Sequence, residues 1–326
     1  TCLLAHLPAL PLLHSLGSNN IGDEGAIAIS TALERNTTLT QIDLNGYAGR
    51  VKIGPAGAQA IAKMLAVNRA LKSADFSANS IGDEGTAALS DALKTNSTLE
   101  TLELRSNKVG AAGAQSLAGM LQVNRALNSL DLCKNNLGEA SETISQAVLQ
   151  HPTMEVFCKI PMKKMREDSL TELDLGGYKG IGAHGAMVIA PLLEFSRALT
   201  SVNLLQNDLG DGAAAIVAAA KQRGNIKTLC GIKDGQTEAD FSQCWQTKKL
   251  QAPGAVLLSF DIEFNRALIA LDVRFNDLGE SSAALAEAVS KSQHIETFCE
   301  VPVKQMRDDV LTDLDLQQKY IGACGA

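Results

Sequence analysis

The chain is poor in aromatic side chains and in long apolar runs. Only 4% of its 326 residues are aromatic although 45% are hydrophobic, a balance that is unusual for a set of compact cores and favours a repetitive architecture. Beyond the N-terminal stretch 1–17, no apolar run approaches the roughly 18 to 20 residues that span a bilayer. That stretch lacks an initial Met and a basic segment, which argues against a signal peptide. The sequence predicts a soluble protein.

Clustered metal ligands and catalytic motifs are also missing. The seven cysteines are scattered, with no CxxC pair and no spacing of the zinc type: Cys2, Cys133, Cys158, Cys230, Cys244, Cys299 and Cys324. The five histidines lie far apart, and neither HExxH nor GxSxG occurs. An odd, dispersed set of cysteines indicates reduced thiols in a cytoplasmic protein. We therefore expect no metal, no cofactor and no enzymatic activity.

Positive charge is in deficit. The formal net charge is −7 and the isoelectric point is near 5.3. An acidic surface repels nucleic acids and anionic membranes, so neither is an expected partner. A neutral or basic protein fits this charge better, and no small-molecule substrate is indicated.

A period of 28 residues runs through the chain. From Leu99, apolar residues stand at template positions 1, 4, 6 and 11, with Asn107 at 9 and Gly110 at 12, and the same template recurs 28 residues earlier and later. The LxLxL alternation predicts a short strand, and the Ala-rich stretch after it predicts a helix with one apolar stripe. Further copies start at Leu39, Leu170, Leu199, Leu268 and Leu311, with a degenerate one near Pro11.

A longer period is superimposed on the C-terminal half. Residues 154–175 reappear 141 residues later as 295–316, and a weaker copy occupies 226–242. We therefore expect one solenoid over 1–326, with plain 28-residue repeats in 1–150 and units of about 70 residues in 151–326. Thirteen strands are expected to form one parallel sheet of roughly 60 Å. Both termini interrupt the pattern, which indicates a fragment of a longer chain.

Two sets of asparagines have structural interpretations. Asn79, Asn107 and Asn135 at template position 9 are expected to hydrogen-bond the main chain of neighbouring coils. Asn36 and Asn96 lie in the sequons NTT and NST, yet Asn68, Asn124 and Asn265 share their repeat position without a sequon. We interpret these five as helix-stop residues in the left-handed conformation rather than as glycosylation sites.

One glycine motif resembles a dinucleotide fingerprint. Gly180, Gly182 and Gly185 form GxGxxG between a predicted strand and a predicted helix. Other coils carry the shorter pattern, as in IGDEG from Ile21, and Asn203 stands where a ribose-binding acid is expected. The glycines therefore belong to the repeat, and no cofactor is predicted.

Template position 5, between the two inward leucines, is mostly acidic. The carboxylates at this position are Asp43, Asp75, Glu103, Asp131, Asp174, Asp240, Asp272 and Asp315. Asn203 takes the position in one coil, and Cys158, Cys230 and Cys299 take it in the short coils, about 14 Å apart and too far for a disulfide or a shared metal. Cations follow at position 7 in Arg105 and Arg274, and one residue later in Lys134. Aspartate either suits this strand edge or contacts a partner, and the eleven charged residues are our candidate binding site.

The segment LKSADFSANSIGDEGTAALSDAL from Leu71 resembles the repeats of ribonuclease inhibitor and of the C-terminal region of NOD-like receptors. The resemblance covers nearly the whole chain. It implies an α/β leucine-rich-repeat horseshoe with a parallel sheet on the concave face and helices on the convex face. It also implies a cytoplasmic, non-catalytic scaffold that binds a protein through the concave face. No GxxxxGK[ST] is present, so the receptors' switch domain is not encoded here.

Two alternatives stay open at this point. The chain could be a GTPase-activating regulator, since the Ran GTPase activator has similar repeats, although no catalytic residue stands out. It could also be the sensor region of a NOD-like receptor whose switch domain lies outside the sequence.

Overall fold

A computed structural model describes residues 14–47, 50–177, 180–242, 250–312 and 314. Its internal contacts divide the chain into two compact units, Thr1–Lys163 and Lys164–Ala326. Short strands alternate with helices in both units. Among the described residues, no helix is long and apolar enough to cross a membrane.

The first unit contains six described strands, which form one parallel sheet in chain order. The strands are β1 His14–Ser15, β2 Gln41–Asp43, β3 Ser73–Asp75, β4 Thr101–Glu103, β5 Ser129–Asp131 and β6 Val156–Phe157. The helices are α1 Gly22–Leu33, α2 Pro55–Val67, α3 Gly82–Leu93, α4 Ala111–Leu121 and α5 Ser141–Gln150, the last preceded by a 3-10 turn at Gly138–Ala140. The short helix α6, Met162–Arg166, lies at the boundary between the units.

The second unit contains five described strands in two parallel sheets. The strands are β7 Glu172–Asp174, β8 Ser201–Asn203, β9 Glu238–Asp240, β10 Ala270–Asp272 and β11 Thr297–Phe298. The helices are α7 Gly182–Phe195, α8 Gly212–Arg223, α9 Ala252–Phe264, α10 Ser282–Lys291 and α11 Val303–Arg307, with a 3-10 turn at Gly279–Ser281.

The apolar template positions form the core, as the repeat predicts. In the coil that begins at Leu99, the side chains of Leu99, Leu102 and Leu104 are fully buried. The predicted stripe of α4 is buried against them, through Ala114, Leu117, Ala118 and Leu121. Strand and helix of one coil thus share one apolar layer, and each new coil extends it.

The expectation of one uninterrupted sheet is wrong for the second unit, where β7–β8 and β9–β11 are separate sheets. The short coil that begins near Ile226 falls between them. It contributes only the isolated bridges Ser201–Thr228 and Asn203–Cys230 to β8. Because the chain turns at Gly231 and reaches β9 without a helix, this coil has no packing layer to hold a full strand.

The predicted asparagine column is confirmed. The amide of Asn107 donates to the carbonyl of Phe76 in the preceding coil at 2.8 Å, and Asn135 donates to Leu104 at 2.9 Å. Asn79 makes the same contact with Leu44 at 3.0 Å and accepts from the backbone N–H of Ile53. The column therefore satisfies main-chain groups that the strand ends leave buried.

The second asparagine set does not use the left-handed conformation that we expected. Asn68 ends α2 with φ −69° and ψ 134°, an extended backbone. Its side chain instead donates to the carbonyls of Leu33 and Asn36 and accepts from the N–H groups of Ala70 and Leu71. Helix α2 therefore stops at Asn68 because the side-chain oxygen accepts hydrogen bonds from the backbone N–H groups of the next residues in place of helical carbonyls. The NH2 group of the same side chain bonds the end of the preceding helix.

Aspartates in the IGDEG pattern cap helices of the following coil. The Asp23 carboxylate accepts from the N–H groups of Gly54 and Gly57 at 2.7 and 2.9 Å, and Asp83 accepts equivalently from Gly110 and Gly113. A Cβ at Gly57 would lie 2.6 Å from Oδ1 of Asp23. The repeat glycines thus let a charged cap approach the next helix N-terminus, where it also interacts favourably with the helix dipole.

Replacement of Asn124 by Ala should lower the free energy of unfolding by about 3 kcal/mol, because buried carbonyls and N–H groups lose their partners. The Asn124 amide donates to Leu93 and Asn96 and accepts from Ala126 and Leu127. Asn128→Ala is the matched control, since this half-buried side chain makes no hydrogen bond with the described residues. Chemical denaturation measures both, and equal losses would contradict the assigned role.

Candidate functional site

Four carboxylates lie side by side at the strand ends of the first unit. The register pairs Asp43 with Asp75, Asp75 with Glu103, and Glu103 with Asp131 across β2 to β5. We call these four residues the carboxylate row. Asp43, Asp75 and Glu103 are half-buried, whereas Asp131 is only 3% exposed. The sheet therefore brings together four of the predicted site residues.

The aspartates at this position share a backbone contact. Each accepts a hydrogen bond, through Oδ1, from the main-chain N–H two residues further on. The distances are 3.0 Å for Asp43, 2.8 Å for Asp75, 2.8 Å for Asp131, 3.0 Å for Asp174, 2.8 Å for Asp240 and 3.0 Å for Asp272. Asn203 does the same at 3.2 Å. These contacts are turns closed by the side chain, and they give a structural reason for Asp where the strand ends.

Lys159, which the repeat pattern does not mark, bridges two of the four carboxylates in the row. Its ammonium Nζ lies 3.0 Å from both carboxylate oxygens of Glu103 and 3.1 Å from Oδ2 of Asp131. A tight turn aims it there: Phe157 and Ile160 exchange backbone hydrogen bonds, and the two residues between them have positive φ. Burial alone would lower the pKa of Lys159, but the Asp131 and Glu103 carboxylates outweigh it and raise the pKa.

The second unit builds the same bridge with the charges exchanged. Arg274 forms hydrogen bonds to both oxygens of Asp272, with its terminal NH2 group 2.6 Å from Oδ2 and 2.6 Å from the Glu300 carboxylate. Asp272 and Glu300 correspond, 141 residues later, to Asp131 and Lys159. The bridging cation therefore lies on the short coil in the first unit, as Lys159, and on the neighbouring coil in the second unit, as Arg274. Interaction with Asp272 is the main cause of the raised pKa of Arg274.

The remaining predicted residues have different surroundings. Asp174 accepts from the Asn203 amide at 3.1 Å. It lines an open cavity of about 840 Å³ whose other charged walls include Lys227, Lys233 and Arg266. Asp240 accepts from the Ser242 hydroxyl at 2.5 Å. Asp315 lies outside the described residues.

Arg105 and Lys134 follow the carboxylate row in the loops after β4 and β5. Lys134 is exposed, and its pKa is lowered first by partial burial and then by the nearby positive charge of Arg105. Arg105 forms no ion pair within the described part of the chain. Close to it lies Tyr47, which is 58% exposed. The pKa of Tyr47 is raised by partial burial, lowered by Arg105 and raised by Asp75.

A fully buried carboxylate lies beneath the short coil of the second unit. Asp261 of α9 is 0% exposed and accepts from the backbone N–H of Leu229 at 2.6 Å and from the Thr228 hydroxyl at 2.5 Å. The N–H of Cys230 also donates to it at 3.2 Å. Burial raises the pKa of Asp261 to about 7, against the opposing effect of these donors. In the sequence, Asp261 interrupts the apolar run 255–262 of α9, which is the signal that marks a buried acid.

A family model described as "Leucine Rich repeat" matches residues 15–30 and 95–118. The chain has an α/β leucine-rich-repeat fold. No curated protein matches it. Among solved structures, "Leiomodin-1 Actin-Binding Site 2 (ABS2)" is 23% identical with a TM-score of 0.35, over 41% of this chain and 77% of the other. The tropomodulin C-terminal domain of Caenorhabditis elegans is 14% identical with a TM-score of 0.34, over 41% and 80%.

Replacement of Lys159 by Met should lower the free energy of unfolding by about 2 kcal/mol, because it leaves the Asp131 carboxylate buried beside Glu103 without its cation. Lys163→Met is the control, since the Lys163–Glu155 pair is about half exposed on both sides and such pairs contribute little. Urea denaturation of the two variants measures the difference. A loss of equal size in both would show that Lys159 is only a surface lysine.

Asp261 should make the stability of the second unit fall as pH rises from about 4 to about 7. The unfolded carboxyl ionises near its ordinary pKa of 3.8 and the folded one near 7, so the unfolded state binds fewer protons between these values. Relative to Asp261→Asn, the wild-type protein should lose stability over this range by on the order of 4 kcal/mol. Thermal unfolding across the range tests this, and parallel pH curves would contradict it.

Proposed function

We propose that the chain is a non-catalytic scaffold that binds a protein partner through the strand face of its first unit. The observation that carries the proposal is the group formed by Tyr47, Asp75 and Arg105 at the strand ends. Tyr47 presents an exposed aromatic ring there and interacts electrostatically with the guanidinium of Arg105, which forms no ion pair with the described residues. Tyr and Arg are enriched among residues that dominate binding energy at protein interfaces.

The partner is expected to be basic or neutral at its contact surface. Asp75 uses Oδ1 to close its backbone turn, and its Oδ2 makes no hydrogen bond with the described residues. The chain as a whole carries −7. Such a charge attracts a basic partner over distances of about a Debye length and disfavours nucleic acid and anionic membranes.

Internal contacts reduce the part that the other candidates play in binding. Glu103 and Asp131 already share Lys159, while Asp272 shares Arg274 with Glu300. Ion pairs of this kind must be broken, at a cost, before an outside cation can replace the inside one. We therefore assign partner binding first to Tyr47, Asp75 and Arg105, with Asp43 and Lys134 at the edge of the surface.

The finer family and location follow from the repeat and the thiols. We infer that the repeats are of the ribonuclease-inhibitor type, supported by the 28-residue period and by a helix in each full coil. A cytoplasmic setting is supported by the thiols of Cys133, Cys158, Cys230 and Cys299, which are buried and form no disulfide among the described residues. The strand face would then be the concave face of the solenoid.

The double variant Tyr47→Ala, Asp75→Asn should weaken partner binding at least tenfold, because it removes the exposed ring and one attractive charge. Asn at position 75 keeps the oxygen that accepts from Ser77, so the strand end stays intact. The partner is first isolated from cell extract by affinity to the wild-type chain. Its affinity for each variant is then measured by calorimetry at low and high salt, and wild-type binding should weaken with salt.

The matched control is Val67→Ala, Asp91→Asn, which makes the same kinds of change at exposed positions on α2 and α3. Binding to this control should equal wild type. If the helix variant loses the partner while the strand-face variant keeps it, the binding surface lies elsewhere and the proposal fails.

A further inference from the structure

Two cysteines from neighbouring coils meet below the carboxylate row. Cys133 follows β5, and Cys158 follows β6, which pairs with β5. Their sulfurs and a carboxylate oxygen of Asp131 all lie within 4.8 Å of one another. The two cysteines are 0% exposed and Asp131 is 3% exposed. The repeat pattern does not predict this cluster, because Cys133 and Cys158 are at different template positions and the repeat aligns only equivalent positions.

The cluster has the dimensions of a metal coordination sphere. Zinc–sulfur bonds are about 2.3 Å and zinc–carboxylate bonds about 2.1 Å, so ligand atoms around a tetrahedral ion lie roughly 3.5 to 3.8 Å apart. The upper bound of 4.8 Å on the spacings in the cluster exceeds these values by only about 1 Å. Two sulfurs with one carboxylate oxygen suit a thiophilic ion such as Zn²⁺ and not Mg²⁺ or Ca²⁺, which take oxygen ligands.

We propose that Cys133, Cys158 and Asp131 form a binding site for one thiophilic divalent cation, with Zn²⁺ as the natural candidate. Both thiols bind as thiolates and release their protons to the buffer, and no electron transfer is involved. A water molecule or a fourth protein group completes the tetrahedron.

Lys159 offsets the negative charge of the metal-loaded cluster. Two thiolates, one carboxylate and the divalent cation sum to −1, and the ammonium of Lys159, which Asp131 shares with Glu103, lies beside this charge. Lys159 lies 3.1 Å from Asp131 Oδ2, and the N–H of Cys133 donates to Oδ1 at 2.8 Å. The N–H of Leu132 donates to the Cys158 sulfur at 3.3 Å. Contacts of this second shell orient ligands and balance their charge in protein metal sites.

The second unit supplies an internal comparison. At the positions equivalent to Asp131 and Cys158 it retains Asp272 and Cys299, but Arg274 stands in place of Cys133. The guanidinium of Arg274 lies on the Asp272 carboxylate, where a second thiol would otherwise complete the cluster. The described residues therefore include one complete set of ligands and one set in which the guanidinium of Arg274 replaces a ligand.

The test is metal binding by the fully reduced, full-length chain. Co²⁺ and Zn²⁺ are added both to the folded protein and during refolding, because the two sulfurs are fully buried. Co²⁺ should produce a near-ultraviolet thiolate-to-cobalt absorption band that saturates at one equivalent and is displaced by Zn²⁺. Cys133→Ser and Cys158→Ser should each weaken binding at least tenfold, and Asp131→Asn should weaken it by a smaller factor.

Cys299→Ser is the matched control and should bind cobalt like wild type. Arg274→Cys combined with Glu300→Lys rebuilds the complete set in the second unit and should raise the stoichiometry from one to two. This gain is informative even if a cysteine variant of the first unit fails to fold.

Three results would overturn the proposal: no saturable cobalt band in the reduced wild-type chain, equal binding by the Cys133→Ser and Cys299→Ser variants, or isolation of a Cys133–Cys158 disulfide whose reduction restores no binding.

Discussion

The structure depends on one constraint, the hydrogen bonding of main-chain groups where each strand ends and each helix starts or stops. A coil is too short to satisfy these groups within itself, so they form hydrogen bonds with side chains of neighbouring coils. Asn107 reaches the carbonyl of Phe76 one coil earlier, and Asp23 reaches the N–H groups of Gly54 and Gly57 one coil later. Stacking of apolar layers supplies the driving force, whereas these polar contacts fix the register between coils.

The same constraint explains why the strand face is acidic. An aspartate at the end of a strand closes the turn by accepting from the N–H two residues on, and six of the seven described carboxylates at this position do so. The exception is Glu103, whose longer side chain reaches Lys159 instead. Aspartate at these positions is thus explained by the backbone turn that it closes. The negative charge of the strand face is a consequence of this structural role.

The negative charges of these carboxylates are partly balanced by cations of the same unit. Lys159 in one unit and Arg274 in the other bridge two carboxylates each, although they come from different coils. The paired exchange of Cys133 and Lys159 for Arg274 and Glu300 keeps a cation beside the equivalent aspartate, Asp131 or Asp272, in both copies. In the first unit the cation, Lys159, lies on the short coil. The position equivalent to Arg274 is therefore available to Cys133, whose thiol completes the cluster with Cys158.

The sequence by itself determined the coil: the 28-residue period predicted the strands, the helices, the buried leucines and the column of Asn79, Asn107 and Asn135. It could do so because these features depend on contacts that repeat at a fixed spacing. The break between β8 and β9, the extended backbone of Asn68, the position of Lys159 and the meeting of Cys133 with Cys158 required the tertiary structure. These depend on which residues of unequal coils become neighbours, and a template built on one period cannot show contacts between different template positions. Asp315 belongs to neither group, because it lies outside the described residues.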